Sequence, residues 1–241
     1  MAPDHETGFL NRTVRVNGTE YPYSVYVPRD FERTRSWPVV LFLHGSGERG
    51  RDGLRPSQTG LGSAIRLEPS RVPAIVVFPQ APLDSRWIGE PADAAMAALD
   101  AASKEFDGDP HRTYLTGVSM GGYGSIHLAL ANPRRFAAIA IVCGGLLPHA
   151  TTTAVRRSPL IPEGVDPYAF VAHALRAVPL WIFHGADDPV IPVDEARHLD
   201  EELKKAGANV RYSEYPGLGH NAWDRAYGEA ELWSWLLAQR N

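Results

Sequence analysis

The sequence has little cysteine and no long apolar runs, and each of these absences excludes a class of protein. A single cysteine stands among 241 residues, so no internal disulfide is available. No apolar run is long enough to span a bilayer, and the first sixteen residues lack the apolar core of a signal peptide. We therefore expect a cytoplasmic protein without a membrane partner.

Composition also gives little support to two other classes of function. The 24 basic residues, only three of them lysines, are scattered, and the net charge is −4, so no basic patch for nucleic acid is expected. The histidines, the cysteine and the acidic residues are not grouped at the spacings of zinc ligands. We expect no metal and no other cofactor; the oligomeric state stays open.

Apolar residues make up 44% of the chain, enough for one sizeable core, and we predict a single domain over residues 1–241. The near-continuous apolar runs "PVVLFL" and "AIVVFP" are typical of parallel strands that helices cover on both faces. Such runs alternate with helical patterns, the last of which covers residues 222–240. This alternation predicts an α/β fold with a mostly parallel sheet of about eight strands.

Two local features complete the predicted fold. Asn17 and Gly18 join two alternating runs, which predicts an antiparallel hairpin near the N-terminus. Residues 146–166 are rich in threonine, proline and arginine and have no clear pattern. Either a short cap over a site or a plain loop fits that segment.

The run "TYLTGVSMGG" sets one serine between two glycines at the end of a predicted strand, and a helical pattern follows. Strand, sharp turn and helix form the setting of a nucleophile elbow, in which a strained turn exposes the serine hydroxyl above the sheet. Bulky side chains at positions 117 and 121 would clash there. We interpret Ser119 as a nucleophile.

Acid and base candidates follow other predicted strands. Asp187 and Asp188 come after "VPLWIF", and His220 comes after "VRYSEYP". Ligands of parallel sheets bind beyond the carboxyl ends of the strands, so we expect these residues to lie near Ser119. A serine needs a neutral imidazole to take its proton, and a carboxylate must orient that imidazole. Residue spacing alone does not separate the two aspartates.

Five motifs in one order carry a resemblance to a known family. They are "LFLHGSGERG", "VVFPQAP", "TGVSMGGYG", "IFHGADDPVIP" and "YPGLGHNAW". The sequence resembles the α/β-hydrolase superfamily, and within it the dienelactone hydrolases and the phospholipase/carboxylesterase-like, prolyl-oligopeptidase-like serine esterases. The resemblance implies the α/β-hydrolase fold with a small cap or none. It also implies Ser119 as nucleophile, Asp188 as acid and His220 as base.

An oxyanion hole of two backbone amides is also expected. Met120, the residue after the nucleophile, supplies one amide. The resemblance assigns the other to Ser46, in the loop after the strand "LFL", with Gly47 as the alternative.

The expected function is hydrolysis of carboxylic esters, small or aryl, through an acyl-enzyme, with a small-molecule ester as partner. Three aromatic residues on the predicted active face, Trp87, Tyr123 and Trp223, are expected to line the substrate pocket. A peptidase of the prolyl-oligopeptidase-like group is the main alternative, but the chain is too short to contain the propeller domain of the large enzymes. A non-catalytic ligand-binding relative is a further alternative, and the complete set of triad residues argues against it.

Overall fold

A single eight-stranded sheet organises the chain, in a computed structural model that describes residues 6–149 and 156–241. The strands lie in the order β1-β2-β4-β3-β5-β6-β7-β8. All pairings from β4 to β8 are parallel, whereas β2 pairs antiparallel with β1 and β4. This architecture confirms the predicted α/β fold. The strands are β1 (Gly8–Val16), β2 (Thr19–Val27), β3 (Trp37–Leu43), β4 (Ile75–Pro79), β5 (Gly108–Val118), β6 (Ala138–Val142), β7 (Leu180–Gly185) and β8 (Val210–Tyr215).

Helices cover both faces of the sheet. Side chains from α2 to α5 join one apolar cluster, and side chains from α1, α6 and α7 join the other. Within the described part of the chain, no helix is both long and apolar enough to cross a membrane. The helices are α1 (Leu61–Leu67), α2 (Glu90–Glu105), α3 (Met120–Ala131), α4 (Pro167–Leu175), α5 (Asp194–Lys205), α6 (Trp223–Gly228) and α7 (Ala230–Ala238).

Strand β3 shows why the central strands read as unbroken apolar runs. All seven of its residues are buried. Val39 and Leu41 belong to one apolar cluster, and Val40 and Phe42 belong to the other. Side chains alternate across a strand, so a strand covered on both faces needs apolar residues at every position.

The predicted hairpin is confirmed as the β1–β2 pair. Val16 pairs with Thr19, which leaves only Asn17 and Gly18 in the turn. Both turn residues have positive φ angles, 48° and 84°. Two consecutive residues with positive φ form the tight turn that matches the twist of the strands, and asparagine followed by glycine suits it best.

The predicted last helix is interrupted. Glu229 takes an extended conformation, with φ −78° and ψ 119°, and separates α6 from α7. The Trp233 indole donates a hydrogen bond to the carbonyl of Tyr227, 3.0 Å away, across the break. Apolar periodicity continues through the break because both helices pack on the same face of the sheet.

In the segment 146–166, the described residues contain no helix and no strand. Its end is well defined, because Asp166 accepts hydrogen bonds from the amides of Tyr168 and Ala169 and thereby caps α4. The rest of the expectation, for residues 150–155, lies outside the described part of the chain. The described residues of the segment are therefore loop.

Candidate active site

Ser119 occupies a sharp turn between β5 and α3. Its φ of 52° and ψ of −118° are unusual for a residue with a side chain. A Cβ on Gly117 would overlap the carbonyl oxygen of Gly121, and a Cβ on Gly121 would overlap the carbonyl oxygen of Leu43. Close contact of strand and helix thus explains both glycines. The turn carries Ser119 at the carboxyl end of the sheet.

His220 connects Ser119 to one of the two candidate aspartates. Its Nε2 lies 3.0 Å from Oγ of Ser119, and its Nδ1 lies 2.7 Å from Oδ2 of Asp188. In the neutral tautomer that fits this geometry, Nδ1–H donates to Asp188 and Nε2 accepts from the serine hydroxyl. Asp187 is exposed, and its backbone amide donates to the carbonyl of Leu218. The structure thus brings together Ser119, His220 and Asp188.

Asp188 lies in the turn after β7 with a fully buried side chain. Its Oδ1 accepts hydrogen bonds from the amides of Val190 (2.8 Å) and Ile191 (3.0 Å), and its Oδ2 lies 3.2 Å from Nε2 of His184. Burial alone would raise the pKa of Asp188. The hydrogen bonds from His184, His220 and the two amides outweigh burial, so the pKa lies well below its usual range. The carboxylate therefore stays charged beside His220.

The two predicted oxyanion donors begin helical turns next to Ser119. Met120 is the first residue of α3, and Ser46 is the first residue of the 3₁₀ turn Ser46–Glu48. First-turn amides have no acceptor within their own helix. The position that a Cβ on Gly45 would occupy lies only 3.6 Å from Cβ of Ser119. The loop after β3 is therefore in contact distance of the nucleophile.

A cavity of about 190 Å³ opens beside Ser119. The Trp223 ring lines this cavity and packs edge-to-face on the His220 ring, at 5.5 Å between centroids. The cavity is lined by Gly45, Ser46, Gly47, Glu48, Thr59, Gly60, Val118, Ser119, His220 and Trp223.

A comparison with known protein families shows to which family the chain belongs. Residues 82–241 match the prolyl oligopeptidase family. This chain belongs to that family. The matched segment includes Ser119, Asp188 and His220, so the family assignment and the contact geometry concern the same part of the chain.

Among curated sequences, this prolyl oligopeptidase family member is similar to esterases. It is 24% identical over 228 residues to a "Probable feruloyl esterase C" of Aspergillus niger, with 89% of this chain and 72% of the relative covered. It is 30% identical over 122 residues to "Acyl-protein thioesterase 1" of Gibberella zeae, with 51% and 46% covered.

Among solved structures, this family member resembles a thermostable esterase, with a TM-score of 0.81 and 31% identity. The match covers 97% of this chain but only 63% of the esterase chain, so the chain spans less than two thirds of that protein. Together the matches place the chain among the α/β-hydrolases, and the relatives named here are serine hydrolases of the esterase type.

Two of the three aromatic residues predicted to line the substrate pocket lie elsewhere in this family member. Trp87 is 1% exposed, and its indole donates to the carbonyl of His44, 3.0 Å away. Tyr123 is 7% exposed, and its hydroxyl donates to the carbonyl of Leu147, 2.9 Å away. Both line a second cavity of only about 10 Å³. Each large ring fills the core and satisfies a backbone carbonyl, so neither borders the cavity at Ser119.

His44 holds the start of the loop after β3. Its Nε2 accepts a hydrogen bond from the amide of Ala81 at 3.0 Å, and its Nδ1 bonds the carbonyl of Gly45. Burial lowers the pKa of His44 to about 4, although the Gly45 carbonyl opposes that shift. A neutral ring can accept and donate at once, which this position requires.

Glu195 is a structural carboxylate that the sequence analysis missed. It is 2% exposed on α5, and its Oε2 accepts from the amides of Leu146 (2.6 Å) and Leu147 (3.3 Å). Its Oε1 lies 2.8 Å from the Tyr168 hydroxyl and 2.8 Å from Nε2 of His149. Glu195 thereby ties the loop after β6 to α4. An acidic residue in the first turn of a helix looks like ordinary dipole compensation, so no sequence signal marks it.

Across residues 6–149 and 156–241, no three histidine, cysteine or acidic side chains are arranged so that they could hold a metal ion.

Cys143 is fully buried, and burial raises the pKa of its thiol above the usual range. The thiol is therefore protonated and a poor nucleophile beside the candidate triad.

Proposed function

We propose that this chain hydrolyses small carboxylic esters through an acyl-enzyme, with Ser119 as nucleophile, His220 as base and Asp188 as acid. One observation carries the proposal. The Ser119 hydroxyl, on a strained turn at the end of a strand, lies 3.0 Å from an imidazole that a buried carboxylate orients at 2.7 Å. These are the contacts that a serine hydrolase needs.

Acylation would begin with attack of Oγ of Ser119 on the ester carbonyl carbon, while Nε2 of His220 takes the hydroxyl proton. The amides of Met120 and Ser46 would bind the oxyanion of the tetrahedral intermediate. His220 then returns its proton to the leaving alkoxide oxygen, the carbon–oxygen bond of the ester breaks, and the alcohol departs. The acyl group stays on Ser119.

Deacylation would repeat the sequence with water. His220 takes a proton from the water as its oxygen attacks the acyl carbon, and a second tetrahedral intermediate forms. Its collapse breaks the bond to Oγ of Ser119, which receives the proton from His220, and releases the acid. Asp188 remains charged throughout and stabilises the imidazolium, in keeping with its lowered pKa.

The size of the cavity supports a small group on at least one side of the scissile bond. About 190 Å³ holds a short acyl chain or a small alcohol more readily than a polypeptide segment. The Trp223 wall and the similarity to a probable feruloyl esterase support aryl esters as a second group of substrates.

The test is a substrate panel on the purified protein and its Ser119→Ala variant. We expect hydrolysis of short acyl and aryl esters by the wild-type protein only, slow cleavage of matched peptide amides, and stoichiometric labelling of Ser119 by an organophosphonate. Faster cleavage of the amides would identify a peptidase instead. Absence of both activities and of labelling would favour a non-catalytic role.

A further inference from the structure

The carboxyl group of Glu48 borders the cavity at Ser119, and the proposed mechanism does not use it. Its Oε2 lies 3.2 Å from the position that a Cβ on Gly45 would occupy, and Cβ of Ser119 lies 3.6 Å from the same position. The carboxyl group and the nucleophile therefore flank one glycine. A substrate bound at Ser119 comes within reach of Glu48.

The Glu48 carboxyl group retains capacity for a ligand. Hydrogen bonds reach it from the Thr59 side chain and from the backbone amides of Gly45 and of Glu48 itself. A carboxylate offers about four acceptor sites, so one site remains after these three donors. The neighbouring cation, Arg49, instead donates to the carbonyl of Ser46 at 2.9 Å. Burial raises the pKa of Glu48, although the three hydrogen bonds oppose that shift.

The backbone that carries Glu48 is firmly held. Nε2 of the buried Gln80 donates to the carbonyl of Glu48 at 2.8 Å, and Oε1 of Gln80 accepts from the amide of Gly53 at 2.7 Å. The amide of Gly50 donates to the carbonyl of Ala81 at 2.9 Å. A carboxyl group on a fixed backbone can select a ligand because little ordering is required when the ligand binds.

On the basis of the proposed esterase function, we propose that Glu48 determines specificity by accepting a hydrogen bond from a substrate hydroxyl group. A carboxylate at the same place is disfavoured because it offers no donor and carries a like charge. The substrates selected in this way are small esters of polyols or of hydroxy acids. Esters of the same size without a hydroxyl group leave the fourth acceptor site of the partly buried carboxyl group without a donor and react more slowly.

The experiment compares kcat/KM within matched ester pairs: glycerol monobutyrate against propyl butyrate, and methyl 3-hydroxybutyrate against methyl butyrate. We expect the wild-type protein to prefer the hydroxylated member of at least one pair by roughly tenfold, as a hydrogen bond to a charged group allows. Glu48→Leu should bring that ratio close to one. The exposed Glu201 supplies the control, and Glu201→Gln should keep the ratio of the wild type.

A second variant separates charge from hydrogen bonding. Glu48→Gln keeps an acceptor oxygen, so it should retain the hydroxyl preference. It should also raise kcat/KM for monomethyl succinate relative to methyl butyrate, because the like charge is gone. If Glu48→Leu does not fold, Thr59→Val takes its place, since it removes a hydrogen bond that fixes the carboxyl group. A lowered hydroxyl preference in Thr59→Val supports the inference, and an unchanged one overturns it.

The two proposals fail in different ways. Ser119-dependent hydrolysis of plain esters without a hydroxyl preference in the wild type, or with a preference that Glu48→Leu keeps, overturns the role of Glu48 alone. The absence of Ser119-dependent hydrolysis with every ester overturns the proposed function itself.

Discussion

The Asp188–His220 pair and the Glu195–His149 pair are chemically alike and differ in their surroundings. Each joins a buried carboxylate to an imidazole, at 2.7 Å and 2.8 Å. His220 also extends its second nitrogen to Ser119 on a strained turn. Glu195 binds loop amides and a phenol hydroxyl, which fixes the chain after β6. The contact with Oγ of Ser119 therefore distinguishes the candidate triad from the second carboxylate–histidine pair.

The largest effect should follow from removal of the nucleophile. Ser119→Ala should lower kcat for an activated aryl ester by about 10⁴ to 10⁶, because no other hydroxyl replaces Oγ. Thermal melting should stay close to that of the wild type, because alanine removes only the hydroxyl group. The exposed Ser234, changed to alanine, is the control for rate and melting temperature. Near wild-type turnover in Ser119→Ala would refute the assignment.

The next largest effect should show which of Asp187 and Asp188 is the acid of the candidate triad. Asp188→Asn should cost about 10⁴ in kcat, because an amide in that place favours the wrong imidazole tautomer. Asp187→Asn should change kcat by less than severalfold, since that side chain is exposed. Both variants are measured on the same ester at the same pH. Equal losses, or the reverse order, would move the acid role to Asp187.

In acid, activity should be lost before the fold is. Activity on a plain neutral ester should fall in acid, because the proposed mechanism needs an imidazole lone pair to accept the serine proton. Asp188 has a lowered pKa, so its stabilising charge is present above its unfolded-state pKa and is lost only as the pH falls through its lower folded-state value. Activity should therefore disappear while near-ultraviolet circular dichroism is unchanged, and it should return at neutral pH. Unfolding that coincides with the loss of activity would contradict this order.

At the second pair, we expect an effect on stability and only a small effect on catalysis. Glu195→Gln should lower the free energy of unfolding by about 1 to 3 kcal/mol, because an amide cannot satisfy all the donors that the carboxylate does. Loss of kcat per folded molecule should stay below tenfold. Denaturant unfolding and kcat are compared with those of Glu201→Gln, whose side chain is exposed. A large loss of kcat with unchanged stability would give the second pair a catalytic role.

Much of the fold was predictable because local signals agree with the packing. Asn17 and Gly18 define a hairpin by their backbone conformations alone, and strands buried on both faces appear as apolar runs. The break at Glu229 was not predictable, because apolar periodicity passes through it while a tryptophan indole bonds across it. Periodicity reports which face a residue occupies and does not report where a helix stops.

Some residues of the candidate site were also predictable from the sequence, and others were not. Ser119 and His220 follow strands in motifs that are visible in the sequence, whereas the contact that distinguishes Asp188 from Asp187 exists only in three dimensions. Trp87 and Tyr123 were expected at the pocket because they follow strand ends, yet both turn into the core. Sequence position gives the edge of the sheet on which a residue lies, and packing gives the direction of its side chain.

The strand order also has a consequence during synthesis. Central strand β3 pairs with β4 on one side and with the later β5 on the other. A nascent chain that has emerged only as far as β4 therefore presents one edge of a fully buried apolar strand without its neighbour. Unpaired apolar edges recruit other chains. Until the ribosome has delivered β5, this edge of β3 is therefore open to pairing with another chain.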